Sequence, residues 1–307
     1  MEWALQHAQL MLSQYLKHLI LRTPLQACME PLQRLAASHK RWRYPELQEI
    51  ADEPKLIATA CRLLLTPTSN TIDVGAHLGS QLAQFVALAR EGSHVAFEPV
   101  PHKARWLRRK FPDVDVRQTG LLHERSRGAF FVNESRPGYS GLRAQGRAHD
   151  VVKRIPIDLT TLDDAIDPAR TVDLIKIDVE GAELFVLQGA TRILSHDRPS
   201  LLFESTHSGL ELWGLKPEQI FDFLARHEYR VFLPRTFVAG GVPLTREEFA
   251  EAHTYPFLAF NFIAVAPERV CGRRLKRADS TQALALASTV VSHSPQVFTR
   301  RSVIECR

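Results

Sequence analysis

The chain has 307 residues, of which 45% are hydrophobic and 24% charged; this composition can build a sizeable core and excludes fibrous or low-complexity classes. Its net charge of +5 sits in residues 267–307, where eight Lys/Arg face three Asp/Glu, and the rest of the chain is balanced. An enzyme of nucleic acid carries its basic face on the folded body, so nucleic acid is a disfavoured partner. No apolar run reaches the roughly 18 residues of a membrane span, and the first residues lack a basic leader and a small-residue cleavage site, so a cytoplasmic protein is expected. The four cysteines, Cys28, Cys61, Cys271 and Cys306, form no C-x-x-C pair or zinc-spaced cluster, as expected of reduced thiols.

Residues 1–70 read as a helical extension. Leu5, Leu12, Tyr15, Leu16 and Leu19 recur at helical spacing. Pro24 and Pro31 punctuate that stretch, and Ile57, Ala60, Cys61 and Leu64 mark a further helix ended by TPTSN at 66–70. From 71 to 266 the rhythm changes. Short apolar strands at Thr71–Val74, His94–Phe97, 114–117, 173–178, Ser200–Glu204, 229–233 and 259–265 alternate with helices at 80–90, 102–110, 182–194 and 217–227. That alternation predicts an α/β domain with a mostly parallel sheet covered on both faces. Residues 118–157 interrupt it with RPGYSG, a basic run and the added-strand pattern VVKRIPID; a lid or substrate loop is expected there. The basic tail, 267–307, is polar and patternless, and disorder is expected.

Parallel sheets bind ligands at the carboxyl ends of their strands. The polar groups there are Asp73 with the glycine loop after it, then Glu98, then Asp178 and Glu180, then Glu204 and His207. The loop reads D-V-G-A-H-L-G, with Gly75 and Gly79 four apart. It lacks the middle glycine of a dinucleotide loop, and no lysine follows as in a P-loop. Glu98, 23 residues beyond Gly75, can accept both hydroxyls of a ribose. A loop without phosphate-binding features, paired with a ribose acid, describes S-adenosylmethionine. Its methionyl end would lie over residues 75–79 and its ribose on Glu98, giving a cofactor set of Asp73, Gly75, Ala76, His77, Gly79, Glu98 and Pro99.

Methyl transfer to a hydroxyl needs a base or a metal to assist the proton's departure. Asp178, Glu180, Glu204 and His207 are the candidate catalytic groups. In one route His207 or Glu180 is the base. In the other, less favoured, Asp178 and Glu204 hold Mg²⁺. Lys176 lies on the same face of its strand as Asp178 and is expected to neutralise Asp178 or Glu98. Glu183 at a helix start, and Thr161 capping a turn with Asp163 and Asp164, read as structural. Tyr139 and Ser140 in the insert read as an ordinary turn, with contact to the acceptor as the less favoured alternative.

TIDVGAHLGS, AFEPVP, TLDD at 161–164, DLIKIDVEGAELFVLQGA and RPSLLFE resemble the ordered blocks of the FkbM-like methyltransferases over roughly 71–265, although members more often have Asn where His77 stands. The resemblance implies a seven-stranded class I methyltransferase Rossmann-like fold and O-methylation of a small-molecule hydroxyl, on a saccharide or polyketide-like acceptor. It also implies cofactor contacts from Asp73, Gly75, Gly79 and Glu98, with the IDVEG turn bordering the reacting centre. Rival readings are a non-catalytic cofactor-binding scaffold and an NAD-dependent sugar-nucleotide enzyme. A homodimer is a further expectation, with residues 1–55 as one surface for it.

Overall fold

The computed structural model describes residues 48–269. The helical repeat at Leu5–Leu19, its prolines, Cys28, Cys271, Cys306 and nearly all of the basic tail lie outside the described residues. A seven-stranded sheet forms the centre, in the order β3 (Asp115–Arg117), β2 (His94–Phe97), β1 (Thr71–Val74), β7 (Leu174–Ile177), β8 (Ser200–Glu204), β10 (Asn261–Val265) and β9 (Arg230–Phe232). All neighbours are parallel except β10, which runs antiparallel to β8 and β9. The expected α/β sheet, mostly parallel and covered on both faces, is what forms.

Strands such as TIDV, HVAF and LIKI are buried at every position, because helices cover both faces of a parallel sheet. On one face Ile72, Val74, Val95, Phe97, Ile175, Ile177, Leu201 and Phe203 pack against α5 (Glu183–Gln188), α6 (Thr191–His196), α8 (Pro217–Arg226) and α10 (Arg246–Glu251). On the other, Leu174, Leu202, Ile263 and Val265 meet Ile57, Ala60 and Cys61 of α1 (Gln48–Leu64), Phe85 of α2 (Ser80–Leu88) and Phe237 of α9 (Pro234–Ala239). Glu53 ties α1 to the start of β10: its carboxylate accepts from the Phe260 amide and from Asn261 Nδ2 at 2.9 Å. The Cys61 thiol, on the buried face of α1, has its pKa pushed up to about 12 by burial.

Two stretches differ from expectation. The single helix expected over 182–194 is broken into α5 and α6. A Cβ on Gly189 would sit 2.2 Å from the Leu122 carbonyl, so the backbone there is held against another segment. The second helix then starts afresh on the Asp163 carboxylate, which accepts from the amides of Arg192 at 2.7 Å and Ile193 at 3.1 Å. Thr161 caps α4 (Leu162–Ala165) as expected, accepting from the Asp164 amide at 3.0 Å. Residues 118–157, expected as a lid or substrate loop with one added strand, contribute two further strands to a second, three-stranded sheet of β4 (Gly120–Leu121), β6 (Val152–Thr160) and β5 (Ser126–Asn133). The added strand expected from VVKRIPID is β6, paired antiparallel with β5. The connection between them is closed on Asp150, which accepts from Asn133 Nδ2 at 2.8 Å and Arg136 Nε at 2.9 Å.

Phe262 of β10 packs against Phe203, Phe249 and His253 with ring centroids 4.7–5.8 Å apart. Phe262→Ala is expected to lower unfolding stability by about 3–5 kcal/mol, read from urea denaturation. A loss below about 1 kcal/mol would mean that this aromatic cluster is not closely packed.

Candidate active site

Asp73 in β1 and Lys176 in β7 are register partners on adjacent strands. Their strand neighbours Ile72, Val74, Ile175 and Ile177 all belong to the core on one face, so alternation sends Asp73 and Lys176 to the other. Lys176 Nζ lies 3.0 Å from Asp178 Oδ2 and 3.6 Å from Asp73 Oδ1, and donates to the Gly75 carbonyl at 3.4 Å. Burial works against the ammonium, yet the pull of Asp178 and then Asp73 overrides it and raises its pKa. Asp73 is fully enclosed; burial raises its pKa and Lys176 pulls it back. Lys176 therefore neutralises Asp178, one of the two acids expected.

The turn after β1 needs its glycines. Gly75 has φ +77°, and a Cβ on it would lie 1.9 Å from the Asp178 carbonyl oxygen. Gly79 has φ +82°, and its Cβ would meet the Phe111 ring at 2.5 Å. Between them the His77 amide donates to Glu98 Oε2 at 2.9 Å, while the Val100 amide donates to Oε1 at 2.8 Å. The Glu98 carboxylate is thus oriented by one backbone donor on each oxygen, and each oxygen keeps a further acceptor site. Burial raises the Glu98 pKa, and Lys103 is the strongest opposing influence.

Below β7 the chain turns through Glu180 (φ 57°) and Gly181 (φ 96°). A Cβ on Gly181 would lie 2.1 Å from the Gly209 carbonyl oxygen. Glu183 closes this turn, its Oε1 accepting from the amides of Val179 at 2.9 Å and Gly181 at 3.2 Å. That is a more specific task than the helix-start role expected of it. Carboxylate oxygens of Asp178, Glu180 and Glu204 come within 4.8 Å of one another. Burial, then Asp178 and Glu183, push Glu180 up to about 8. Burial, then Asp178, drive Glu204 well above the usual carboxylate range. Burial raises Glu183 to about 7 despite its backbone donors.

These groups surround a cavity of about 400 Å³. Gly75, Ala76, His77, Glu98, Pro99, Asp178 and Glu180 line it, together with Lys176. Asp73 lies beneath, against Lys176, and Gly79 starts α2 behind the turn. Glu204 joins the carboxylate cluster from the end of β8. His207 opens α7 (His207–Glu211), is exposed, and belongs to neither the lining nor the cluster. Ser140 lines the cavity, and Tyr139 is exposed beside it in sequence. Lys103, buried on α3 (Pro101–Lys110), also lines the cavity and was not among the residues expected there. Its signal was present, because 103, 107 and 111 form a helical stripe with Leu107 and Phe111.

Lys176→Met would leave Asp73 buried without its cation, with an expected loss of about 3–5 kcal/mol at neutral pH, read from denaturant unfolding. Because burial already raises the folded pKa of Asp73, the native state takes up the proton first as pH falls. The deficit is therefore largest above the folded pKa and shrinks as pH drops toward the unfolded carboxyl value of about 4. A deficit constant with pH would show that the ion pair is not what the variant loses.

The methyltransferase FkbM domain model matches residues 73–231. Among solved structures, the chain is similar to a methyltransferase FkbM from Methylobacillus flagellatus KT, at 21% identity and a TM-score of 0.41, covering 66% of this chain. It spans 44% of the length of that protein. It is also similar to a putative methyltransferase from Streptococcus mutans solved in complex with SAH, at 12% identity and a TM-score of 0.40, covering 69% of this chain and 97% of that one. A TehB-like SAM-dependent methyltransferase from Corynebacterium glutamicum ATCC 13032 Kitasato shares 9% identity at a TM-score of 0.37, covering 76% and 97%. No curated protein matches the chain. The family match takes in both the glycine turn and the carboxylate cluster and extends over more than half of the sequence: the chain belongs to the FkbM methyltransferase domain family.

Proposed function

We propose that the chain is an S-adenosylmethionine-dependent methyltransferase acting on a hydroxyl of a saccharide or another small molecule. The observation that carries this reading is one cavity in which a two-glycine turn and the backbone-oriented Glu98 stand with the carboxylates of the β7 turn. Its volume of about 400 Å³ falls within the range of small-molecule sites. The fit to the donor rests on the turn at Gly75, which has no room for a side chain, and on the unused acceptor sites of Glu98. Residues 75–79 would hold the methionyl end, and Glu98, flanked by Pro99, would accept from the ribose hydroxyls. Bound S-adenosylmethionine supplies an electrophilic methyl group on a sulfonium.

The chain's own task is to place the hydroxyl and take its proton. Glu180 lines the cavity, and its pKa of about 8 makes it a stronger base than an ordinary carboxylate. Its carboxylate oxygen accepts the hydroxyl proton as the new bond to oxygen forms. Lys176 holds Asp178 in place beside it. His207 has no part in this reading. A second reading is favoured by the cluster itself: Asp178, Glu180 and Glu204 offer three hard oxygens within 4.8 Å, a donor set suited to Mg²⁺, which would lower the hydroxyl pKa.

The test is transfer of a labelled methyl group to a panel of hydroxylated acceptors, with and without EDTA. With Glu180 as base, the rate rises with pH through about 8 and then levels. Glu180→Gln is expected to remove the inflection and slow turnover by about 10²–10⁴-fold, with EDTA without effect. Activity abolished by EDTA and restored by Mg²⁺ would favour the metal reading instead. Donor binding without transfer to any acceptor would favour the non-catalytic scaffold.

A further inference from the structure

Lys103 occupies the first turn of α3, on the stripe that Leu107 and Phe111 bury. Only 5% of its surface is exposed, and it lines the cavity. Its ammonium makes no hydrogen bond and no close ion pair with any described residue; Glu98 and Glu180 act on it only through space. Burial lowers its pKa, and those two acids oppose the shift. The positive end of the helix dipole further disfavours a cation there. Lys176, by contrast, is satisfied by Asp178, Asp73 and the Gly75 carbonyl. On the cavity wall, with three unused donors, the Lys103 ammonium is placed to donate to a ligand there.

We propose that Lys103 receives an anionic group, a carboxylate, phosphate or sulfate, carried by the acceptor. The acceptor is then an acidic hydroxylated molecule, such as a uronic acid, a hydroxy acid or a sugar phosphate. This rests on the methyltransferase reading. The donor has a carboxylate of its own, but its methionyl end belongs with residues 75–79, where Lys176 already stands. Lys103 instead feels Glu98 and Glu180 through space. At the β7–β8 end the cation is already taken, Lys176 being held by Asp178, so the acidic group belongs on the α3 side. There the Lys103 ammonium and the helix N-terminus act together.

The test uses the full chain saturated with S-adenosylhomocysteine and titrated calorimetrically with inorganic phosphate, D-glucuronate and, as a neutral control, D-glucose. Wild type is compared with Lys103→Met and Lys103→Arg. The expected result is that phosphate and glucuronate bind wild type at least about tenfold more tightly than glucose, that Lys103→Met weakens both anions at least about tenfold, and that Lys103→Arg retains them. Binding of S-adenosylhomocysteine by Lys103→Met shows that the variant is folded. Anions that bind wild type and Lys103→Met alike, or that do not bind the loaded wild type, overturn the proposal. It is also overturned if Lys103→Met weakens S-adenosylhomocysteine but not methylthioadenosine, which lacks the amino-acid end, because the donor's carboxylate is then the partner. If wild type binds no S-adenosylhomocysteine at all, the methyltransferase reading fails and this proposal falls with it.

Discussion

The site depends on Lys176, held between Asp73 and Asp178. Parallel pairing of β1 with β7 sets Asp73 directly opposite Lys176. The lysine then reaches forward to the Gly75 carbonyl and to Asp178 at the strand ends. A single ammonium thus ties together the two turns that form the cavity floor. The close approach of Gly75 to the Asp178 carbonyl follows from the same pairing. If Lys176 moves, both the glycine turn and the carboxylates beyond β7 lose their reference point.

Around that anchor the charges are unevenly matched. Asp73, Glu98, Asp178, Glu180, Glu183 and Glu204 gather at the carboxyl edge, with Lys176 and Lys103 as the buried cations among them. The raised pKa values of Glu180, Glu183 and Glu204 follow first from burial and then from that excess of neighbouring acids. Backbone donors fix Glu98 and Glu183 in place, and Lys176 fixes Asp178. Glu180 and Glu204 have raised pKa values and sit close to Asp178, which is where proton chemistry is most readily placed.

Much of this was legible in the sequence. Short runs such as TIDV and LIKI, set between helical segments, read as strands buried on both sides, and strand–helix alternation delivers their terminal acids to one edge. What the sequence hid depends on long-range packing. Lys103 lies in the helix expected over 102–110, and its register with Leu107 and Phe111 marks it as buried, but only the fold brings it to the cavity. The break at Gly189 comes from its contact with the Leu122 carbonyl, which no local pattern encodes. His207 follows a strand end as a site residue would, yet the Thr206 cap starts a helix there that leaves it in solvent. Within residues 118–157, β6 was legible in VVKRIPID, whereas β5, exposed at its start, gains its order from pairing with β6.

The measurement that tests the central claim most directly is calorimetric titration with S-adenosylmethionine, with NAD as the comparison and Glu98→Gln as the variant. Tight binding of the methyl donor but not of NAD is expected, with affinity reduced by about tenfold or more when the Glu98 charge is removed. Equal binding of the donor by Glu98→Gln, or a preference for NAD, would contradict the account of what the glycine turn and Glu98 hold.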